Sequence, residues 1–233
     1  MIRALAPVAL ALTALPVLSA QLVVQPNSQQ QAIPVVYGPG ALQRLAPGDF
    51  IPNCPGRAVA VLRSGRVFLA LRPEKFDAVW DTGWSQVDDI AALPTPSGST
   101  DRLATLSSSG LNITKYDGTQ LVSHGVGAVP GFASYTRLNA RTFANASWST
   151  LIMAGGKVDH QDAAANRRVR VAVLRNEHQA VTANFELLMA SPVLDVAAID
   201  LVPGGDPEVI VATTTALVAH DSVGNHLHTF PWA

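Results

Sequence analysis

Charge is scarce in this chain, and its charged residues are not clustered. Asp, Glu, Lys and Arg make up 14% of the 233 residues, and the formal net charge is −1, whereas soluble domains usually carry ~25% charged residues. Proteins that bind nucleic acids or anionic membrane surfaces neutralise phosphates with grouped Lys and Arg side chains. The sequence contains no such group. We therefore expect neither nucleic acid nor an anionic surface as a partner.

Cysteine is almost absent. Cys54 is the single thiol, so no disulfide can form within the chain. A domain of this length can bury enough apolar surface without one. Cys54 lies between Pro52 and Pro55 with no histidine near it in sequence, which favours a buried structural thiol over an activated nucleophile or a pairing with another chain.

Sustained helical periodicity is also missing beyond the first residues; only residues 162–168 could form a helix. Short apolar runs are instead separated by Gly, Pro, Asn and Asp, which supply turn geometry. Residues 59–62 and 66–71, joined by Ser64-Gly65, predict a β-hairpin. Short strands at near-regular spacing predict an all-β fold.

The one long apolar run opens the chain. Arg3 precedes an apolar stretch over residues 4–18, which is followed by the small residues Ser19 and Ala20. This order is typical of a secretory signal peptide, and the two prolines within the run argue against a membrane-spanning anchor. We expect cleavage near Ala20, a secreted or periplasmic mature chain without a membrane span, an irregular segment over 21–56 and a repeat domain over 57–233.

The chain repeats itself. The sequence DIAAL at 89–93 returns as DVAAI at 195–199, and SSSGL at 107–111 becomes TTTAL at 213–217, both at an offset of 106 residues. VAVLR at 59–63 reappears at 171–175, an offset of 112, and LIMA at 151–154 matches VIVA at 209–212. The first offset spans about eight strands, or two four-stranded units. This predicts a small β-propeller of about four blades of four-stranded antiparallel sheets; a β-sandwich or an open stack of blades is the alternative.

The last repeat also has a family resemblance. Residues 195–212 read DVAAIDLVPGGDPEVIVA, and a further hairpin follows at 216–227. This stretch resembles the FG-GAP/VCBS repeats of integrin-like β-propellers, and residues 87–124 resemble them moderately. In that family an Asp-rich loop precedes an apolar strand; Asp200 would begin the loop, Gly205 would be its glycine and Glu208 its last acidic residue. The resemblance implies a propeller whose blade loops contact a protein or a glycan.

The same loop argues against bound calcium. Calcium takes ~6–8 oxygen ligands, several of them carboxylates, but Val202 and Gly204 stand at the third and fifth loop positions. The earlier copy, over residues 94–102, has no acidic residue at any of the four acidic positions. We expect no calcium and no other cofactor, with Asp200 and Glu208 as weak metal candidates.

Histidines give a second weak metal candidate. His226 and His228 are two residues apart and would point to the same face of a strand, where His220 or Asp221 could complete a zinc or copper site. We favour surface exposure or cross-strand packing for both histidines. His160, near Asp159 and Asp162, receives the same interpretation.

Catalysis is the less favoured function. No G-x-S-x-G motif occurs, and the serines at 107–109 recur as threonines, as residues of a structural turn would. Paired carboxylates for glycoside chemistry are available among Asp88, Asp89, Asp195, Asp200 and Glu208.

Trp84 and Trp148 are weak candidates for a sugar-stacking platform, together with Trp80, Trp232 and Tyr135, although packing in the core is favoured for these rings. We expect an exported non-catalytic binding or scaffolding module. The alternatives are an enzyme acting on extracellular polysaccharide and a shortened propeller relative without independent activity. Acidic residues in one concave pocket beside Trp84 or Trp148 would indicate the enzyme.

Overall fold

A computed structural model describes residues 21–22, 35–36, 42–51, 58–71, 78–95, 99–117, 120–143, 149–200 and 207–232. These residues form short β-strands and one 3₁₀ turn, Ala165–Arg167, which lies within the stretch that could be helical. The all-β prediction is confirmed. Within this part of the chain, no helix is long and apolar enough to cross a membrane. The expected leader, Cys54 and Trp148 lie outside the described residues.

A two-stranded pair precedes four larger sheets, all antiparallel. The pair consists of β1 (Gln21–Leu22) and β2 (Val35–Val36). Sheet 1 contains β3 (Leu42–Gly48), β4 (Ala58–Arg63), β5 (Arg66–Leu71) and β6 (Ala78–Asp81). Sheet 2 contains β7 (Val87–Leu93), β8 (Arg102–Ser107), β9 (Gly110–Tyr116) and β10 (Leu121–Val129). Sheet 3 contains β11 (Arg137–Phe143), β12 (Ser149–Gly155), β13 (Arg168–Arg175) and β14 (Ala180–Leu188). Sheet 4 contains β15 (Val193–Ile199), β16 (Glu208–Thr213), β17 (Ala216–His220) and β18 (His226–Pro231).

The prediction of about four four-stranded blades is confirmed. In every sheet the strands are hydrogen-bonded in chain order, as in a propeller blade, and four separate sheets do not make a two-sheet sandwich. The predicted hairpin is β4–β5. Its turn places Ser64 at φ 48° and Gly65 at φ 72°, and two positive φ angles are what a type I′ hairpin turn requires.

The 106-residue repeat is structural. β7, β8 and β9 begin 106 residues before β15, β16 and β17, and they occupy the same places in their sheets. Residues 151–154 and 209–212 likewise lie in the second strand of sheets 3 and 4. The sequence relation among these segments therefore reflects equivalent positions.

The 112-residue repeat is not structural. Residues 59–63 belong to β4, the second strand of sheet 1, whereas residues 171–175 belong to β13, the third strand of sheet 3. Both are inner strands and mostly buried. A strand covered on both faces favours a continuous apolar run, so the same environment explains the identical residues.

Sheet 1 begins upstream of residue 57, within the segment expected to be irregular. β3 supplies its first strand and pairs with β4. Along this strand Ala46 is buried, while Leu45 and Pro47 are exposed. With few buried side chains and a proline, which strands rarely accept, the sequence of β3 lacks the apolar run that would have predicted it.

The four sheets pack in chain order through their first strands: β3 against β7, β7 against β11, and β11 against β15. Apolar side chains fill each of these junctions. Leu62 of sheet 1 shares a cluster with Ile90 of sheet 2, Leu106 of sheet 2 with Ile152 of sheet 3, and Val171 of sheet 3 with Val196 of sheet 4. Among the described residues, no such cluster joins sheet 4 to sheet 1.

Candidate functional site

A polar cavity of about 340 Å³ lies where the first strands of the four sheets begin. All four first strands, and the residue before β11, contribute to its wall. The lining residues are Gln43, Arg44, Asp88, Asp89, Thr136, Arg137, Leu138, Leu194 and Asp195.

β-Bulges direct these side chains. The ladders of β3, β7 and β15 each skip one residue near the start of the strand: Gln43, Asp88 and Leu194, respectively. A bulge bends the strand locally and re-aims the side chains beside it. The next residues, Arg44, Asp89 and Asp195, are therefore in equivalent positions and all line the cavity.

Asp89 joins three sheets. Its Oδ1 accepts the backbone N–H of Ile90 at 2.9 Å, and its Oδ2 accepts that of Leu138, in the first strand of sheet 3, at 2.7 Å. Arg44 of sheet 1 has its Nε 3.6 Å from the Asp89 carboxylate and donates through Nη2 to the Leu138 carbonyl at 2.9 Å. Burial raises the pKa of Asp89 and nearby Asp195 raises it further, while the Leu138 N–H and Arg44 oppose both.

Asp195 reproduces half of this arrangement. Its Oδ1 accepts the N–H of Val196 at 2.9 Å, as Oδ1 of Asp89 does with Ile90. Among the described residues, no neighbouring sheet supplies the second N–H that Asp89 receives from Leu138. Asp195 is exposed at the cavity wall, so its carboxylate is accessible to a ligand there.

The five candidate carboxylates fall into two groups. Asp88, Asp89 and Asp195 meet at the cavity. Glu208 is buried at the start of β16, paired with Ile199 at the far end of β15, and Asp200 is the exposed residue that follows. Residues 201–206, which include most of the calcium-type loop, lie outside the described residues.

The prediction that His226 and His228 share one strand face is wrong. His226 pairs with His220, but His228 pairs with Ala219, because the ladder skips Leu227. Residues opposite each other share a face, so the two imidazoles point to opposite faces. The His226 ring lies 5.6 Å from that of His220, whereas His228 packs 4.2 Å from Phe230. Where the structure describes the chain, no group of three or more His, Cys, Asp or Glu side chains is placed to hold a metal ion.

The described aromatic candidates lie away from the cavity wall. Trp84 is half-buried and packs against the apolar cluster between sheets 1 and 2. Trp232 is about half exposed, and its Nε1 donates to the Thr213 carbonyl at 2.8 Å, which fixes the end of β18 to sheet 4. Tyr135 is fully buried. The Trp80 backbone belongs to β6.

The remaining candidates hold turns. Ser107 Oγ lies 2.8 Å from Ser109 Oγ and also donates to the carbonyl of Gly110. Thr213 Oγ1 donates to Ala216 in the equivalent turn of sheet 4. His160 is exposed on the turn before the 3₁₀ segment, where Asp162 accepts the N–H of Ala164.

The structure also brings together a partly buried polar network that sequence reasoning missed. Tyr135 donates its hydroxyl to Glu186 at 2.7 Å, and Glu186 in turn binds Arg168, which also contacts Asp162. Burial and the bond to Glu186 raise the pKa of Tyr135. Tyr135 and Glu186 are 51 residues apart and share no motif, so no local signal could have joined them.

Histidines meet at the junction of sheets 2 and 3. His178 is 1% exposed, and its Nε2 lies 2.9 Å from Thr150 Oγ1. Burial, with Arg102 and His124 nearby, lowers the pKa of His178 to about 4. His178 and the two residues before it all have positive φ. No glycine in this stretch of the sequence predicts the strained turn.

No protein-family model matches the chain, and no curated protein shows significant similarity to it.

Proposed function

We propose that this chain is an exported, non-catalytic binding module, built from degenerate FG-GAP/VCBS-like repeats, that takes a polar segment of a protein or a glycan into the cavity. One observation carries the proposal: all four first strands begin around a single concave polar site. The leader-like run ending at Ala20 supports export.

The cavity offers charge of both signs within one site. Arg137 and Asp88 are exposed there, as is Asp195. Guanidinium groups donate hydrogen bonds and carboxylates accept them, so neighbouring groups of both kinds suit a ligand rich in hydroxyl or amide groups. Binding sites commonly place a few such polar groups in a concave surface at the junction of structural units.

The bonding of Asp89 favours binding over catalysis. Both of its oxygens already accept backbone N–H groups, from Ile90 and Leu138. A general acid or base must reach the proton that it transfers, and a carboxylate committed to holding strands together is poorly placed to do so.

Specific observations also favour the second candidate, an enzyme acting on extracellular polysaccharide. Three aspartates share a concave cavity, and burial, with a smaller contribution from Asp195, raises the pKa of Asp89; a carboxyl group with a raised pKa is typical of the general acid in such enzymes. The aromatic ring expected beside such a cluster is not supplied by Trp84. If the purified chain releases reducing ends from a polysaccharide and Asp195→Asn abolishes the release, the non-catalytic proposal fails.

A glycan array and an extracellular-protein pull-down with residues 21–233 test the binding proposal. We expect a captured ligand whose binding is weakened about tenfold or more by Arg137→Ala, the scale of one lost charge-assisted hydrogen bond. His160→Ala, on an exposed turn of sheet 3, is the matched control and should bind as the wild type does. If neither screen yields a ligand, the result would favour a shortened propeller relative without independent activity.

A further inference from the structure

Among the described residues, the first and last of the four sheets each carry a partly exposed apolar face that no neighbouring sheet covers. On sheet 1, Leu45 pairs with Val61, which also pairs with Phe68, so the three share one face. Leu45 is 52% exposed and Phe68 is partly exposed, whereas Val61 between them is buried. This face, called here the sheet 1 end face, is opposite the face that packs on sheet 2 through Leu62.

Sheet 4 has the matching feature. Ala212 pairs with Leu217, and Leu217 with Phe230, on the face opposite the one that Val211 presents to sheet 3. Leu217 is half-buried and Phe230 is 53% exposed. We call this the sheet 4 end face. The first and last of the described sheets thus present faces equivalent to those that pack together between neighbouring sheets.

Asp195 points to what covers the sheet 4 end face. In sheet 2, the equivalent Asp89 accepts the backbone N–H of Leu138 in the next sheet. In sheet 3, Leu138 of the first strand pairs with Ala154 of the second strand. In sheet 1, the equivalent residue of the first strand is Arg44, which pairs with Leu62. Arg44 is therefore the residue of sheet 1 whose backbone N–H would reach Asp195 in an equivalent junction.

We propose that a second copy of this chain supplies that sheet. Sheet 4 of each copy packs against sheet 1 of the other, so that Asp195 accepts the backbone N–H of the partner's Arg44 and Phe230 packs against the partner's Leu45. The new contact continues the sheet-to-sheet interface already made three times within the chain. Both end faces are buried at once, and the contact closes about a two-fold axis.

The sheet count favours two copies. Propellers have ~4–8 blades, and two copies of the four described sheets reach the upper end of that range; three copies would exceed it. The formal net charge of −1 per chain offers little electrostatic opposition to self-association.

The test is the mass of residues 21–233 in solution, measured by sedimentation velocity at micromolar concentration. We expect a dimer. Leu45→Asp and Phe230→Asp should each give a folded monomer, as judged by an unchanged far-UV circular dichroism spectrum. Leu188→Asp is the matched control, because Leu188 is 55% exposed but lies on sheet 3; this variant should remain a dimer.

Mixing the two monomeric variants makes the test specific to pairing of sheet 4 with sheet 1. Each variant retains one intact end face, so the mixture should associate through one unmodified junction, whereas either variant alone should not. Asp195→Ala should raise the dimer dissociation constant about tenfold. A monomeric wild type, a dimer indifferent to both Asp substitutions, or a mixture that stays monomeric would overturn the proposal.

Discussion

Asp89 accepts the backbone N–H of Leu138 at 2.7 Å, although the two residues are 49 positions apart and belong to different sheets. The bond is buried, and it joins the first strand of sheet 2 to the first strand of sheet 3. A carboxylate, which has acceptors only, suits a strand N–H that its own sheet does not use. Position 89 thus serves the junction between sheets as well as the cavity wall.

Removing this carboxylate should destabilise the chain. Asp89→Ala leaves two backbone N–H groups without their charged acceptor, and the Leu138 N–H is buried. We expect the free energy of unfolding to fall by about 2–4 kcal/mol. Urea denaturation at one fixed protein concentration measures the change. Asp88→Ala is the matched control; Asp88 is an exposed bulge residue, and its loss should cost less than about 0.5 kcal/mol. Equal losses would mean that the bond to Leu138 is unimportant.

His178 should make stability depend on pH. Burial, Arg102 and His124 hold its folded-state pKa at about 4, below the ~6.5 of an unfolded chain. The unfolded state therefore binds the proton more readily in this range. The neutral His178 therefore contributes about 3 kcal/mol to the free energy of unfolding above pH ~6.5. This contribution is lost as the pH falls towards the folded-state pKa.

The variant for this test is His178→Asn, because asparagine tolerates the φ of 69° found at this position. We expect the wild type to lose more unfolding free energy than the variant between about pH 7 and pH 4. His160→Asn changes an exposed histidine of the same sheet and should follow the wild-type curve. Parallel curves for the wild type and His178→Asn would contradict the assignment to His178.

The fold was largely predictable from the sequence because its strands are short, apolar and separated by turn residues. The 106-residue repeat correctly predicted two equivalent four-stranded units, since β7 and β15 match in sequence and in place. The identical sequences at 59–63 and 171–175 do not mark equivalent strands, because burial on both faces favours the same apolar residues in inner strands of different sheets. β3 was missed because Gln43, Arg44 and Pro47 interrupt its sequence, so no apolar run marks the strand.

The candidate site was only partly predictable. Asp88, Asp89 and Asp195 were among the candidate carboxylates, but nothing local showed that they meet at one cavity, which requires the first strands to pack together. The skipped Leu227 reversed the expected relation of His226 and His228, and bulges of this kind leave no clear mark in a sequence. Arg44, which contacts Asp89 and Leu138, lies in the missed strand β3.

The hydrogen bond from the Tyr135 hydroxyl to the charged Glu186 carboxylate should stabilise the fold more than a bond between two neutral groups would. Tyr135→Phe removes a hydroxyl that donates to a carboxylate at 2.7 Å. We expect a loss of about 1.5–3 kcal/mol in unfolding free energy. A double-mutant cycle with Glu186→Gln isolates the pair and should give a coupling energy of about 1 kcal/mol. Additive losses would show that the contact contributes little beyond the separate packing of the two side chains.

Alanine substitutions at two glycines distinguish the cost of backbone strain from the cost of a clash between neighbouring sheets. Gly125 has φ 59°, and a Cβ there would lie 2.5 Å from the carbonyl oxygen of His178 in sheet 3. Gly83 has φ 77°, and a Cβ there would meet nothing within 4 Å. Both alanine substitutions incur the strain of a left-handed conformation, about 1–2 kcal/mol, but only Gly125→Ala also forces sheets 2 and 3 apart. We expect it to cost at least about 2 kcal/mol more than Gly83→Ala in urea denaturation, and equal costs would show that the junction adapts to the extra methyl group.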